Sequence, residues 1–210
     1  MVLTSEKLSF NRFFRPIYTM KKSENSVLKI ENIVASGSVA EAIDLEYISN
    51  KITDCVLDTR RFPGAVYHMQ NPKSAALIFE SGRIVITGVR RSEDMAVALQ
   101  KLLNTLKSAK ITCHDNPHVA VKNIVCSYNL GNPCNLNRIM IVLMDSENIE
   151  YEPEVFPGLV CRISDPKIVF LLFSSGKIII TGGTNMDDIE KGVEILKKKL
   201  SVAGHKNEKN

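Results

Sequence analysis

Histidine, cysteine and acidic residues build most catalytic and metal sites, and in this chain their spacing suits neither kind of site. His114 and His118 lie four positions apart, but Pro117 between them breaks the helical turn that would bring both imidazoles onto one metal. The five cysteines include no C-x-x-C pair, and their odd number favours free thiols in a reducing compartment. Asp187 and Asp188 suit a helix N-terminus. No phosphate-binding glycine loop or nucleophile elbow occurs. We therefore expect a protein that is not an enzyme, with no metal and no cofactor.

The side chains that do form a pattern are aromatic and apolar, and the pattern occurs twice. Residues 62–88 read FPGAVYHMQNPKSAALIFESGRIVITG, and residues 156–182 read FPGLVCRISDPKIVFLLFSSGKIIITG. The two segments are identical at 14 of 27 positions without a gap, 94 residues apart. The tripeptide Asn-Ile-Val also recurs, at residues 32–34 and 123–125. A repeat of this length indicates a duplicated half-domain rather than a solenoid.

The duplication predicts the domain organisation. We expect a first repeat over residues 27–115 and a second over residues 116–204. Residues 1–26 then form a flexible N-terminal extension, and residues 205–210 form a polar tail.

Both repeats predict the same order of elements. A strand (Val27–Ser36 or Val119–Ser127) is followed by a short helix, then by three or four strands with Ser-Gly hairpin turns, and then by an amphipathic helix. Residues typical of helix starts precede or open each helix: Asp44, Ser92, Asn135 and Asn185. The predicted fold class is α+β, with one antiparallel sheet of about ten strands and four helices on one side.

This fold leaves an apolar surface uncovered. The strands SAALIF and IVFLLF are apolar on both faces, but the helices can cover only one face of the sheet. A broad exposed apolar face indicates a binding surface or an oligomer interface. The alternative is that the two halves pack face to face as a sandwich, and periodicity does not separate these arrangements.

Composition restricts the functional classes further. The chain has 210 residues, a formal charge of +4 and a pI of about 8.7, which permits a polyanionic partner without requiring one. Apolar runs end at about six residues, as at 168–173, so we expect no membrane span. The N-terminal segment does not resemble a secretory signal.

These motifs resemble the TATA-binding protein family over residues 27–202. The resemblance is carried by RRFPGAV, NPKSAALIFESGRIVITG, YEPEVFPGLVCR and DPKIVFLLFSSGKIIITG. It implies a duplicated saddle, with its concave sheet on DNA and its four helices on the convex side. It also implies a general transcription initiation factor that binds the TATA-box minor groove, bends the DNA and recruits transcription factor B and, indirectly, RNA polymerase.

The resemblance also implies roles for individual residues. Four phenylalanines match the family's DNA-bending wedges: Phe62, Phe79, Phe156 and Phe173. Ten residues match its base and groove contacts: Asn32, Val34, Leu77, Val85, Thr87, Asn123, Val125, Leu171, Ile179 and Thr181. Four match phosphate contacts: Arg61, Arg83, Arg162 and Lys177. Two match contacts to transcription factor B: Glu152 and Glu154.

Several positions depart from the family pattern. His68 replaces a common arginine, and Glu31 and Lys122 replace glutamines. Gly183 and Thr184 replace a common Ala-Lys pair, which removes one phosphate contact. Phe-Pro-Gly in both repeats resembles archaeal members, which predicts a protein acting at the nucleoid in a cytoplasm without a nucleus. A divergent eukaryotic, nuclear protein is the alternative.

Three other interpretations remain open at the level of sequence. The first is a specialised paralogue with a shifted promoter preference. The second is a protein that does not bind DNA and dimerises through the apolar face. The third is a substrate-gripping domain of an enzyme, although the chain has no room for a catalytic domain. The family resemblance favours a monomer on DNA that can form a homodimer when free.

Overall fold

The computed structural model describes residues 28–144 and 148–205. The expected extension over residues 1–26 and the tail after His205 lie outside the described residues. Contacts divide the described chain into two compact units. Unit 1 is Asn32–Lys122, and unit 2 consists of residues 28–31 and 123–205.

Unit 1 contains the elements predicted for the first repeat. They are β1 (Lys29–Ser38, whose first three residues belong to unit 2), α1 (Leu45–Lys51), β2 (Cys55–Leu57), β3 (Ala65–Gln70), β4 (Lys73–Ile78), β5 (Arg83–Val89) and α2 (Ser92–Ser108). The strand order is β2-β3-β4-β5-β1, and each of these neighbouring pairs is antiparallel.

Unit 2 repeats this arrangement. Its elements are β6 (His118–Asn129, which begins within unit 1), α3 (Leu136–Leu143), β7 (Asn148–Glu150), β8 (Leu159–Ile163), β9 (Ile168–Leu172), β10 (Lys177–Gly183) and α4 (Met186–His205). The order β6-β10-β9-β8-β7 is again antiparallel throughout. The predicted α+β class with ten antiparallel strands is confirmed.

The helices begin where the sequence predicts. Asp44 accepts a hydrogen bond from the backbone N–H of Tyr47 at 2.9 Å, and Asn135 accepts one from Arg138 at 3.1 Å. Asn185 accepts from the backbone N–H of Asp188 at 2.8 Å. These bonds satisfy donors that a helix N-terminus otherwise leaves unpaired.

In both units the long helix covers one face of the sheet. The predicted stripe of α2 is buried: Met95, Leu99, Leu102 and Leu106. In α4 the residues Ile189, Val193 and Leu196 are buried in the same way. The absence of a side chain at Gly192 lets α4 approach Ile168 and Phe170 of β9, because an added Cβ would lie within 3.3 Å of both side chains. In the described part of the chain, no helix is both long and apolar enough to cross a membrane.

Tight hairpins connect β4 to β5 and β9 to β10. The backbone N–H of Phe79 donates to Arg83 O at 3.0 Å, and the N–H of Phe173 donates to Lys177 O at 2.9 Å. Gly82 and Gly176 adopt φ values of 70° and 83°, which a residue with a side chain adopts only with strain. The turns therefore fix the phenylalanines at equivalent ends of the two units.

Candidate nucleic-acid interface

The sheet face opposite the long helix carries most of the predicted contact residues in each unit. Along each strand, fully buried core residues alternate with half-buried residues that point to this second face, which we call the open face. In unit 1 it includes Asn32, Val34, Val66, Ala75, Leu77, Val85 and Thr87. In unit 2 it includes Asn123, Val125, Val160, Val169, Leu171, Ile179 and Thr181.

Strand register places the apolar residues in matching rows. Leu77 lies opposite Val66 on one side and Val85 on the other. Leu171 lies opposite Val160 and Ile179 in the same way. Val66 and Val160 were absent from the predicted contacts. The shared Phe-Pro-Gly-x-Val motif, together with the two-residue period of a strand, could have identified them.

A pair of phenylalanine rings lies at one end of each open face. The ring centroids of Phe62 and Phe79 are 5.5 Å apart with an interplanar angle of 63°. Those of Phe156 and Phe173 are 5.8 Å apart at 69°. Both are edge-to-face pairs, a favourable aromatic geometry. The rings are not core residues, since three are half-buried and Phe156 is 37% exposed.

The glycine of each Phe-Pro-Gly motif explains how the rings pack. A Cβ added at Gly64 would lie 2.7 Å from Phe62 Cε1, and one added at Gly158 would lie 2.7 Å from Phe156 Cε1. Each first ring therefore folds back over its own glycine. A side chain at this position would push the ring away from its partner.

Asn32 and Asn123 each stabilise a β-bulge in the sheet of their own unit. The register shifts between β1 and β5 near Gly88 and between β6 and β10 near Gly182, and these glycines have φ values of 96° and 95°. The backbone N–H of Gly88 donates to Asn32 Oδ1 at 2.8 Å, and that of Gly182 donates to Asn123 Oδ1 at 2.8 Å. The asparagine oxygens thus accept N–H groups at the two β-bulges.

The neighbouring threonines complete two matching polar clusters. Asn32 Nδ2 donates to Thr87 Oγ1 at 3.0 Å, and Thr181 Oγ1 donates to Asn123 Oδ1 at 3.1 Å. In each unit, the structure therefore joins by a hydrogen bond the asparagine and the threonine that were predicted to contact bases.

The predicted phosphate contacts have different surroundings. Arg83 and Lys177 are exposed at the starts of β5 and β10. Arg61, whose side chain is 88% exposed, lies 3.5 Å from the carboxylate of Asp58. Arg162 is on the open face of unit 2, and its Nη1 lies 2.9 Å from Glu150 Oε1.

Glu152 and Glu154 lie in the turn that leads to Phe156, and both are exposed. The backbone N–H groups of Val155 and Phe156 each donate to the Glu152 carbonyl at 2.9 Å, which gives the turn a defined shape. The equivalent turn of unit 1 carries Arg60 and Arg61 with Asp58, a net charge of +1 against −2 for Glu152 and Glu154, so the two turns have opposite net charge.

Glu31 places a carboxylate beside the polar residues of β6. Its Oε1 accepts from Ser127 Oγ at 2.7 Å and lies 3.3 Å from Lys29 Nζ. Burial, with a smaller contribution from this carboxylate, raises the pKa of the adjacent Cys126 thiol to about 12. Cys126 is thus an unreactive core residue. Among the described residues, no group of three or more His, Cys, Asp or Glu is arranged to hold a metal ion.

Comparison with known proteins agrees with this geometry. The family model described as "Transcription factor TFIID (or TATA-binding protein, TBP)" matches residues 27–109 and 118–203, which contain all four phenylalanines. The chain is 46% identical over 177 residues to the TATA-box-binding protein of Archaeoglobus fulgidus, covering 84% of this chain and 96% of that protein. It is 45% identical over 182 residues to TATA-box-binding protein 1 of Methanosarcina acetivorans, covering 87% and 98%.

A solved structure is also similar. The structure of Methanococcus jannaschii TBP superposes with a TM-score of 0.73 at 36% identity, covering 83% of this chain and 98% of that chain. The match favours this fold over the face-to-face sandwich.

Proposed function

The chain belongs to the TATA-binding protein family, and we propose that it is a general transcription initiation factor that binds the minor groove of TATA-box DNA. In this proposal the repeats over residues 27–115 and 116–204 each contact one half of the site. The protein bends the DNA and recruits transcription factor B and, through it, RNA polymerase. The observation that carries the proposal is the duplicated open face, with an apolar row and a phenylalanine pair in each unit.

Groove chemistry explains why such a face would select A·T pairs. The minor groove presents only acceptors at A·T pairs, while guanine adds an amino donor. The rows around Leu77 and Leu171 have no acceptor to offer that donor. An unsatisfied donor costs about 1–3 kcal/mol, so each G·C pair on these rows would weaken binding.

The asparagines would supply the direct base contacts. Asn123 Oδ1 already accepts from Gly182 and Thr181, so the amide nitrogen, the donor of this side chain, is the polar atom that can contact a base. Adenine N3 and thymine O2 are acceptors, so this donor suits an A·T pair.

The phenylalanine pairs would bend the duplex. This family is itself a standard example of minor-groove proteins that insert apolar wedges between base steps, at a cost of a few kcal/mol per step. Burying a phenylalanine ring contributes roughly 1.5–3 kcal/mol. Two rings at each step can therefore offset the unstacking.

The exposed turn of unit 2 is the proposed binding site for a protein partner. We propose that Glu152 and Glu154 bind transcription factor B, because both carboxylates are free of core packing and lie on a backbone turn of defined shape. We also propose that the protein acts as a monomer on DNA, at the chromosome of a cell without a nucleus. The relatives described above are all archaeal.

Selection of bound duplexes from a random pool tests the proposal directly. The expected result is enrichment of an A·T-rich site as long as the stretch of minor groove that one protein molecule covers. Energy transfer between dyes on the duplex ends reports the bending. Absence of any enriched sequence would contradict it. Measurement of mass in solution with and without a TATA duplex tests the rival idea, since a protein that dimerises through its open face would stay dimeric and unbound.

A specialised paralogue is the second candidate, and Glu31 is the observation in its favour. Its carboxylate accepts a hydrogen bond from Ser127 on the open face and is paired with the exposed Lys29 at 3.3 Å, and an anion at this position disfavours nearby base acceptors. Selection with wild type and Glu31→Gln distinguishes the two functions, because a paralogue whose preference depends on Glu31 would enrich a different sequence after the substitution.

A further inference from the structure

Arg162 and Glu150 form an ion pair on the open face of unit 2. Glu150 of β7 lies opposite Val160, and Asn148 lies opposite Arg162, so the two charged residues are diagonal neighbours on one face. Arg162 Nη1 lies 2.9 Å from Glu150 Oε1, with side chains 41% and 59% exposed. The contact lacks hydrogen-bond alignment, and Nη1 is buried without a hydrogen-bond partner in the described structure. The guanidinium is therefore neutralised by a close charge but is not held by directional bonds.

The first repeat lacks both members of this pair. The position 94 residues before Arg162 is His68, and the position 94 residues before Glu150 is Val56. Val56 lies opposite Val66 just as Glu150 lies opposite Val160, so the register is equivalent. The basic residue and its carboxylate are thus present together in one repeat and absent together from the other.

We propose that Glu150 is a charge-balancing residue that neutralises Arg162 before DNA binds. This inference rests on the proposed DNA-binding function. Arg162 then contacts a phosphate in exchange for its contact with Glu150, and it contributes little net charge neutralisation. The ion pair of repeat 2 and the residues His68 and Val56 of repeat 1 consequently present a similar net charge to the backbone at these two positions, and repeat 1 differs further by Asp54, which lies across from His68 where repeat 2 has Asn148.

The salt dependence of binding reports this exchange. Each phosphate that a protein cation neutralises releases condensed counterions, and the slope of log K against log salt changes by about −0.9. An arginine already neutralised by a carboxylate leaves a compensating anion beside the phosphate, so its contribution to the slope is nearly cancelled. Removing only the charge of Glu150 restores that contribution.

The experiment measures binding of a TATA duplex to the full chain across a salt series. Glu150→Gln keeps the shape of the side chain, and we expect it to steepen the slope by roughly 0.9 and to strengthen binding several-fold at low salt. Arg162→Gln in the Glu150→Gln background should abolish the added slope. Because the pair is half-exposed, the melting temperatures of these variants should stay close to that of the wild type.

The first repeat offers a matched gain-of-function test. Because Asp54 lies across from His68, the test is made in an Asp54→Asn background, which matches Asn148 of repeat 2; there His68→Arg adds a guanidinium without that carboxylate and should steepen the slope by roughly 0.9. Adding Val56→Glu to that variant transplants the whole pair and should return the slope to that of Asp54→Asn alone.

The outcomes separate this inference from the proposed function. Salt-dependent binding by the wild type with an unchanged slope in Glu150→Gln, or weaker binding by that variant, would overturn the role of Glu150 alone. Failure of the wild type to bind any duplex would overturn the proposed function and this inference together.

Discussion

Asn123 Oδ1 accepts the backbone N–H of Gly182 at 2.8 Å, at the point where the pairing of β6 and β10 shifts register. The same bond joins Asn32 to Gly88 in the other unit. In the proposed function Asn123 therefore serves two purposes, because its oxygen accepts the N–H at the bulge while its nitrogen donates to a base in the groove. A substitution that replaces the nitrogen and keeps the oxygen can test the two roles independently.

Asn123→Asp should preserve the fold but abolish TATA binding. The carboxylate still accepts the Gly182 N–H, but it replaces the amide donor with an anion that faces groove acceptors. We expect a loss of about 3 kcal/mol or more, roughly 100-fold or greater in Kd. Fluorescence anisotropy with a TATA duplex measures the affinity, and thermal unfolding measures the fold.

Asn129 provides the control for this substitution. Its Oδ1 accepts the N–H of Gly131 at 2.9 Å, at the exposed end of the same strand. Asn129→Asp should leave the fold unchanged, and because Asn129 pairs with Lys177 it should weaken binding by no more than the loss of about one phosphate contact, far less than Asn123→Asp. Wild-type affinity of Asn123→Asp would show that its amide nitrogen does not contact DNA.

Phe173→Ala should reduce the DNA bend and weaken binding with little loss of stability. The ring is half-buried and packs against Phe156, so its removal leaves no enclosed cavity. Phe170→Ala is the matched control, since Phe170 is fully buried on the opposite face of the adjoining strand. That variant should lose about 3–5 kcal/mol of folding stability. A wild-type bend in Phe173→Ala, together with a large fall in melting temperature, would identify Phe173 as a core residue.

Features with local causes were predictable from the sequence. The hairpins and the caps at Asp44, Asn135 and Asn185 each depend on a few adjacent residues, and the duplication is visible directly as repeated sequence. The two bulges were not predicted, because they depend on an asparagine that bonds a glycine 56 or 59 residues away. The Arg162–Glu150 pair was missed for a similar reason, since it depends on the register of β7 against β8.

Gly158→Ala should displace the ring pair Phe156–Phe173 without unfolding unit 2. The added methyl group would lie 2.7 Å from Phe156 Cε1 and 3.1 Å from Phe173 Cε1, and both rings can move because they lie at the surface. We expect roughly tenfold weaker TATA binding and a smaller bend. Gly64→Ala in the first repeat also meets the backbone oxygen of Ile78 at 2.8 Å, so it should lower the melting temperature as well. Equal bending by Gly158→Ala and the wild type would contradict the packing argument.

Glu152→Arg with Glu154→Arg should abolish recruitment of transcription factor B while binary DNA binding is retained. The substitution makes the turn of unit 2 basic, as the turn of unit 1 already is. Gel-shift assays with increasing factor concentration measure the ternary complex. Glu190→Arg with Glu194→Arg makes the same change of charge on exposed positions of α4 and serves as the control. A ternary complex at wild-type factor concentrations would refute the assignment.

The last prediction concerns the direction in which the protein sits on a promoter. Direction depends on the difference between the two units at base edges, because phosphate contacts carry no sequence information. The base-facing residues are nearly equivalent, because the asparagines and threonines match and only apolar residues are exchanged, with Ala75 and Val85 replaced by Val169 and Ile179. The carboxylate of Glu31 beside Ser127 in unit 2 is paired with Lys29. The difference between His68 and Arg162 acts on the backbone, and an exposed contact of this kind is worth about 1 kcal/mol or less.

Even if the whole of this difference discriminated between the two orientations, the preference would be roughly fivefold, since 1.4 kcal/mol corresponds to a factor of ten. We therefore expect the isolated protein to bind a TATA site in both orientations, and transcription factor B, docked at Glu152 and Glu154, to select one. A DNA-cleaving reagent tethered to a cysteine introduced at Val155 should cut an asymmetric duplex at both ends without the factor and at one end with it. The native cysteines need to be replaced first, with the cysteine-free protein as the control. Cuts confined to one end in the absence of the factor would show that the repeats themselves set the direction.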